Sequence, residues 1–282
     1  ALDGTVLARQ TLALDDSPIR AQLDRMAQTL SAQAERLNLD KGRLLGVGIS
    51  APGPLDACKG LLLAPPNFDA WHHVPIADEL SARTGWTARL ENVSNALALE
   101  TRYFGLGRGL DSFMALQVNE GIGAGIVLGG QLYRGAFGLG GEIGHTSIAW
   151  DGLPCECGHV GCLEKYAAIP ALLNGSSYAN WSALMDALPH AEDARTLLRR
   201  EAAYLAAGIV NVLNLLDLDQ VVLLGDLCDR PEPLLEALNG LVRERLIARD
   251  TRKKAPVCCE NLVSGVRSAA MAHIHAFYQV DG

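Results

Sequence analysis

The chain of 282 residues lacks the features of membrane and secreted proteins. It has no apolar run approaching the roughly 20 residues that a membrane-spanning helix needs, and no basic segment followed by an apolar one opens it as a secretion signal would. We therefore expect no membrane partner and a cytoplasmic location. The composition, 49% hydrophobic and 20% charged, is that of a globular protein with a sizeable core.

Positively charged residues are fewer than negatively charged ones. The chain has 24 Lys and Arg residues against 32 Asp and Glu residues, which gives a formal net charge of −8. Surfaces that bind nucleic acid depend on clustered Lys and Arg to neutralise phosphates. We therefore do not expect these residues to contact DNA themselves.

The cysteines do not form the pattern of a disulfide-rich secreted domain, because there are only seven and their number is odd. Cys155, Cys157 and Cys162 crowd together beside histidines, which is typical of a metal site. The other four are scattered, which is more typical of small buried side chains than of reactive thiols. These are Cys58, Cys228, Cys258 and Cys259.

Strands alternate with helices along the chain, which predicts an α/β fold. The turn at Asp3–Gly4 predicts a strand over residues 5–8 and, because it lies so close to the first residue, a preceding strand that is missing. We therefore expect the chain to be part of a longer protein. Further helices are predicted over residues 19–37, 75–85, 94–104, 194–216, 231–247 and 269–278, and strands over residues 44–49, 89–92, 113–118, 125–129 and 221–224.

The most specific run begins at Glu142 and His145 and continues, nine residues later, as Cys155-Glu-Cys157-Gly-His-Val-Gly-Cys162-Leu-Glu. Zinc in structural sites takes four nitrogen or sulfur ligands in a tetrahedron, and Cys₃His is one such set. Either His145 or His159 could supply the nitrogen. The alternative is a glycine-rich loop with three free thiols.

Two other runs allow a functional and a purely structural interpretation. Residues 91–96, Glu-Asn-Val-Ser-Asn-Ala, join a strand to a helix, where polar side chains either recognise a ligand or cap the helix. Residues 119–125, Asn-Glu-Gly-Ile-Gly-Ala-Gly, are consistent with a phosphate-binding turn or with a tight hairpin.

Taken together and in this order, these runs resemble the ROK family of bacterial sugar-responsive repressors and sugar kinases. The resemblance rests on residues 50–54, 66–68, 142–145 and 155–164. It implies a two-lobed α/β fold of the actin-like ATPase (ribonuclease H-like) type, with a structural zinc loop. The expected lobes are residues 1–95 plus 265–282 and residues 96–264, and the expected assembly is a homodimer or a higher homo-oligomer.

The resemblance also implies roles for individual residues. The zinc ligands would be His145, Cys155, Cys157 and Cys162, with His159 as a spacer. The sugar contacts would be Gly53, Asn67, Asn92, Glu142, His145 and Glu164.

The sequence departs from the family's kinases where they handle ATP. Those kinases carry Asn-Asp-Ala-Asn at the strand-to-helix junction, where the Asp is the general base, whereas this chain has Val93 at that place. Losing a positioned base typically costs about 10² to 10⁴ in rate. Nothing like the family's Gly-Gly-Thr phosphate loop stands ahead of Asp3, which truncation of the chain would also explain. Asn119–Glu120 brings a carboxylate towards a phosphate position, and Gly225–Asp226 replaces a pair of glycines. We therefore assign no catalytic residue, and we do not expect ATP or Mg²⁺ as cofactors.

Three hypotheses about function follow. The leading one is the sugar-sensing domain of a ROK-type transcriptional regulator, which would contact DNA only through a segment absent from this chain. The alternative is a divergent ATP-dependent hexose or N-acetylhexosamine kinase that uses another base. A third is a ROK regulator that binds a phosphotransfer-system protein instead of a sugar.

Overall fold

The computed structural model describes residues 1–66, 68–247, 255–261 and 265–279. Asn67, one of the predicted sugar contacts, lies outside the described residues. None of the described helices combines the length and the hydropathy needed to cross a bilayer.

The described residues group into two compact units. Of the described residues, those within 1–100, 136–139 and 264–282 belong to the first unit, and those within 101–135 and 140–263 belong to the second. The helices are α1 (Ile19–Arg36), α2 (Ile76–Thr84), α3 (Val93–Phe104), α4 (Glu164–Ala167), α5 (Ile169–Leu173), α6 (Trp181–Ala187), α7 (Glu192–Leu216), α8 (Glu232–Arg245) and α9 (Gly265–Gln279). The strands are β1 (Val47–Ala51), β2 (Leu55–Asp56), β3 (Leu61–Leu62), β4 (Ala88–Asn92), β5 (Phe113–Val118), β6 (Ile122–Leu128), β7 (Gln131–Tyr133), β8 (Gln220–Gly225) and β9 (Val257–Cys259).

The first unit is built on two parallel strands. β1 and β4 pair from Val47↔Ala88 to Ala51↔Asn92, so their carboxyl ends lie side by side. Residues of β1 alternate between the two faces of this sheet. Val47 packs into a core shared with α1 and α2, whereas Gly48 lies so close to α9 that a Cβ there would be 2.0 Å from the carbonyl oxygen of Ala269.

The second unit holds a mixed five-stranded sheet in the order β7-β6-β5-β8-β9. β5 pairs with β8 in parallel and with β6 in antiparallel orientation. The parallel register sets Val118 opposite Gly225, so β5 and β8 end at the same edge of the sheet. The apolar side chains of the sheet pack in one core with α5, α6, α7 and α8, which holds this edge in place.

Most of the predicted elements are present, with boundaries that differ by a few residues, but the strand predicted over residues 5–8 is wrong. Residues 5–15 have no regular secondary structure. A strand is stable only when its backbone groups pair with a neighbouring strand. In the described part of the chain, β1 pairs with β4 and no strand pairs with residues 5–8.

α7 carries a glutamate inside the core. Glu201 is fully buried, and no described group forms a hydrogen bond with either of its carboxylate oxygens. Burial without a partner penalises the charged form, so the pKa of Glu201 is raised well above 4.5. Burial therefore favours the protonated form of this carboxyl group in the folded protein.

We expect Glu201→Gln to remove a pH dependence from the free energy of unfolding. The folded state keeps a proton that the unfolded chain releases, so stability from this group is complete below about pH 4.5 and is lost as the pH rises through the folded-state pKa. The loss amounts to as much as about 1 kcal/mol per pH unit. Urea unfolding between pH 5 and pH 8 measures this slope in the wild type and in the variant.

The matched control is Glu236→Gln, which changes an exposed glutamate on the neighbouring helix α8. This variant should keep the wild-type slope. Equal slopes in the wild type and in Glu201→Gln would contradict the protonated state of the buried carboxyl group.

Candidate metal centre and the residues around it

Four of the residues predicted to bind metal come together in the second unit. One donor atom each from His145, Cys155, Cys157 and Cys162 lies within 4.8 Å of the other three, so the cluster could hold a metal ion. The sequence left the nitrogen donor open between two histidines. The group contains His145, whereas His159 contributes its backbone carbonyl to the amide of Cys155.

The spacing of the donor atoms fits a tetrahedral zinc site. Sγ of Cys155 lies 3.7 Å from Nδ1 of His145, and Sγ of Cys157 lies 3.6 Å from Sγ of Cys162. Zinc–sulfur bonds of about 2.3 Å in a regular tetrahedron place the sulfurs about 3.8 Å apart. The set is therefore suitable for a structural zinc ion with four protein ligands, which leaves no open position for catalysis.

The loop can close around an ion because small residues permit its tight turns. Gly161 has φ 73°, and a Cβ at this position would lie 1.7 Å from the carbonyl oxygen of Ala149. The next residue, Cys162, forms an antiparallel bridge with Ser147. A residue with a side chain at position 161 would move Cys162 away from the other donors.

The thiols of the cluster influence one another's pKa values when no cation is bound. Burial, together with hydrogen bonds from Cys157 and Cys155, raises the pKa of Cys162 to about 12. Cys157 is exposed, and the backbone amide of His159 lowers its pKa. The paired sulfurs thus favour different protonation states until a cation stabilises both as thiolates.

Two predicted sugar-binding carboxylates flank the metal centre. Glu142 stands three residues before His145, and Glu164 stands two residues after Cys162 at the start of α4. Partial desolvation raises the pKa of Glu142, His145 lowers it, and Glu164 raises it, which shows that the three groups are within electrostatic range. Oε2 of Glu164 accepts a hydrogen bond of 2.8 Å from the amide of Ile122, so it also supports the β5–β6 turn.

Two other predicted sugar contacts lie together in the first unit. Gly53 follows β1 and Asn92 ends β4, and a Cβ built at Gly53 would be 3.2 Å from Nδ2 of Asn92. The side-chain oxygen of Asn92 accepts a hydrogen bond of 2.8 Å from the amide of Ser94, which orients the amide group. The carboxyl end of this small sheet therefore presents a fixed amide next to a residue without a side chain.

Val93, which the resemblance aligns with the general base of the kinases, is apolar, and the carboxylate of Glu91 two residues earlier is hydrogen-bonded within the protein. Val93 begins α3. Glu91 is 3% exposed, and its Oε1 accepts hydrogen bonds from the amide of Asn92 at 3.0 Å and from Nδ2 of Asn95 at 3.1 Å. Asn95 lies inside α3 and donates its side-chain amide to Glu91, so it does not cap the helix.

Sequence reasoning did not identify the contact between the ends of β5 and β8. Oδ1 of Asn119 accepts a hydrogen bond of 2.9 Å from the amide of Asp226. Gly225, at φ 96°, allows this approach, since a Cβ there would lie 2.2 Å from the same oxygen. The signal in the sequence is an Asn directly after one predicted strand and a Gly at the end of another, but their pairing depends on strand order.

We expect the purified protein to contain about one zinc ion per chain and Cys157→Ser to lose it, because three ligands bind the ion much less tightly than four. Metal analysis after gel filtration measures the content. Cys58→Ser is the matched control, since Cys58 is also exposed but lies outside the cluster. Wild-type zinc content in Cys157→Ser would contradict the assignment of the ligands.

A family profile, curated relatives and solved structures all match this chain. A profile described as the ROK family matches residues 1–271. Glucokinase from Thermotoga maritima is 45% identical over 126 residues, which cover 45% of this chain and 40% of that protein. The putative xylose repressor of a Caldicellulosiruptor species is 33% identical over 221 residues, which cover 72% of this chain and 55% of that protein.

Among solved structures, the ROK hexokinase from Thermus thermophilus matches with a TM-score of 0.77 and 32% identity, covering 92% of this chain and 88% of that chain. The present chain spans 40% and 55% of the lengths of the two curated relatives. The expected α/β fold of the actin-like type is confirmed. Because the family profile matches almost the full length and repressors and kinases both lie among the relatives, the chain belongs to the ROK family.

Proposed function

We propose that this chain is the sugar-sensing part of a ROK transcriptional regulator that has lost kinase activity. The observation that carries the proposal is Val93 at the start of α3. A valine cannot take a proton from a sugar hydroxyl, and general-base removal of that proton is what a sugar kinase needs at this point.

The neighbouring carboxylate does not offer a replacement. Glu91 is buried, and its Oε1 already accepts hydrogen bonds from the amide of Asn92 and the side chain of Asn95. A base must approach its substrate within hydrogen-bonding distance. Moving Glu91 to reach a sugar would break both contacts and leave their donors without an acceptor.

The end of the second sheet also favours a binder over a phosphoryl-transfer enzyme. Backbone amides are common donors to phosphate groups in nucleotide sites. Here the backbone amide of Asp226 already donates a hydrogen bond to the side chain of Asn119. The carboxylates of Asp226 itself and of Glu120, the residue after Asn119, are exposed. Exposed carboxylates repel polyphosphate unless a cation intervenes.

The sugar-binding half of the proposal rests on the carboxylates beside the metal centre. Carboxylate oxygens accept hydrogen bonds from neighbouring hydroxyl groups, which are the polar groups that all pyranose sugars share. A zinc ion on Nδ1 of His145 would orient the ring and the adjoining carboxylates without taking part in chemistry. Gly53, Asn67 and Asn92 remain predicted contacts of the same ligand class.

We further propose that DNA is contacted by residues outside this acidic chain and that the regulator acts in the cytoplasm as a homodimer or higher oligomer. Its net charge of −8 supports the first point. A curated relative named as a xylose repressor supports the regulatory assignment.

A kinase is the second candidate because a glucokinase is 45% identical over 126 residues. It requires a base other than Val93 and a working ATP site. Binding of Mg-ATP and formation of phosphorylated sugar are the two observations that would favour it over the regulator.

We expect one or a few sugars, and not Mg-ATP, to raise the melting temperature. A ligand at about a hundred times its Kd adds about 2.7 kcal/mol to the free energy of unfolding. The scan uses xylose, glucose, mannose and N-acetylglucosamine, with Mg-ATP in parallel wells. A shift with Mg-ATP together with phosphorylated sugar would overturn the proposal in favour of the kinase, and no shift with any sugar would favour a regulator that binds a protein partner.

We expect Glu142→Gln to weaken binding of the responsive sugar about 10- to 100-fold, because a hydrogen bond to a charged group contributes about 1.5–3 kcal/mol. Titration calorimetry measures the Kd, and metal analysis should show unchanged zinc. Glu156→Gln is the control, since this exposed carboxylate lies in the same loop and binds Lys165.

Cys157→Ser should lose zinc and sugar binding together, and sugar affinity that survives in metal-free protein would contradict their linkage.

A further inference from the structure

The hydroxyl group of Tyr166 contacts the loop that carries the cysteines, although Tyr166 is not one of the metal donors. Tyr166 lies in α4, four residues after Cys162. Its Oη accepts a hydrogen bond of 2.7 Å from the backbone amide of Leu153, which stands two residues before Cys155. The side chain therefore reaches back from the end of the loop to the residues just before its first cysteine.

Leu153 connects this hydroxyl group to the other side of the loop. Its carbonyl oxygen accepts a hydrogen bond of 2.7 Å from the amide of Gly161, the residue directly before Cys162. The next residue, Pro154, forms an antiparallel bridge with Val160. Fixing the backbone of Leu153 therefore fixes the backbone beside two of the cysteine donors.

The ring of Tyr166 is held in turn by the long helix α7. It packs against the ring of Tyr204, with centroids 5.3 Å apart and an interplanar angle of 50°. One turn further along α7, Gly208 makes room for Leu163, since a Cβ at position 208 would lie 2.7 Å from Cδ2 of Leu163. Because α7 packs in the core of the second unit, it presents the hydroxyl group from a rigid support.

Glycine at position 152 permits the close approach of the hydroxyl group to the loop. A Cβ built at Gly152 would lie 2.1 Å from Oη of Tyr166. The hydroxyl group thus fills the space that a side chain at position 152 would need.

We propose that Tyr166 is a positioning residue of the metal centre, whose hydroxyl group holds Leu153 and thereby sets the approach of Cys155 and Cys162 to the ion. The inference rests on the metal centre described above and adds a residue outside the donor set. Removing groups that orient metal ligands without touching the metal typically lowers metal affinity 10- to 100-fold. Without the hydroxyl group, the Leu153 amide loses its acceptor, and the loop gains freedom that it must give up again when the ion binds.

Tyr166→Phe tests the hydroxyl group alone, because the variant keeps the aromatic ring against Tyr204. We expect it to lower the affinity for zinc about 10-fold or more. The measurement titrates the zinc-loaded full chain with EDTA and determines the zinc that the protein retains. An affinity equal to that of the wild type would overturn the proposal.

The matched control is Tyr178→Phe. The hydroxyl group of Tyr178 donates a hydrogen bond of 2.9 Å to Asp193, which lies in the same unit but outside the metal loop. This variant also loses one tyrosine hydrogen bond, and it should keep the wild-type affinity for zinc.

Cobalt(II) provides a readout that a general loss of stability would not change. Its visible absorption depends on the coordination geometry, which is tetrahedral when four protein ligands are in place. We expect the absorption bands of cobalt-loaded Tyr166→Phe to differ from those of the wild type, and those of Tyr178→Phe to match them. Weaker zinc binding with an unchanged cobalt spectrum would make Tyr166 a stabilising residue only and would overturn the positioning role.

Measurements on the wild type do not depend on any variant folding, and they separate this proposal from the metal centre itself. A wild-type chain that binds neither zinc nor cobalt would contradict the centre. In the zinc-loaded wild type, hydrogen exchange followed by NMR reports on the Leu153 amide, which we expect to exchange slowly although its side chain is half exposed. Exchange as fast as in an unfolded chain would overturn the Tyr166 contact and leave the centre in place.

Discussion

Three sulfurs and one imidazole nitrogen must share a space the size of one metal ion, and the architecture of the second unit around residues 142–164 follows from this constraint. The donors come from two segments that are separated by nine residues, and the second segment turns at Gly161 directly before Cys162. Thiols so close together shift one another's pKa in opposite directions, and a dication stabilises them all as thiolates. The carboxylates of Glu142 and Glu164 adjoin these two segments, so whatever orders the donors also orders the carboxylates.

The two units place polar groups at the carboxyl ends of parallel strands, the usual location of ligand sites in open α/β sheets. In the first unit the end of β4 carries the amide of Asn92, and the apolar Val93 follows it at the start of α3. In the second unit the end of β5 carries Asn119, whose side chain satisfies a backbone amide of the same protein. Both ends are thus held by hydrogen bonds within the protein.

Two buried glutamates of this chain, Glu100 and Glu201, differ in their surroundings. Glu100 of α3 is buried in the first unit and forms an ion pair with Arg267 of α9, so its charge is compensated. Glu201 has no such partner among the described residues and is kept neutral instead. The difference follows from position: α9 brings a cation towards Glu100, whereas the helices around Glu201 present apolar side chains.

The sequence by itself determined the local features. The apolar periodicity of residues 19–37 predicted α1, the Asn-Glu-Gly-Ile-Gly run predicted the turn between β5 and β6, and the spacing of three cysteines predicted a metal loop. These features depend on neighbouring residues and on the freedom of glycine. Only the tertiary structure paired Asn119 with Asp226 and left residues 5–8 without a strand partner among the described strands. Each of these depends on which strands lie side by side, and strand order is set by packing of the whole sheet rather than by any local pattern.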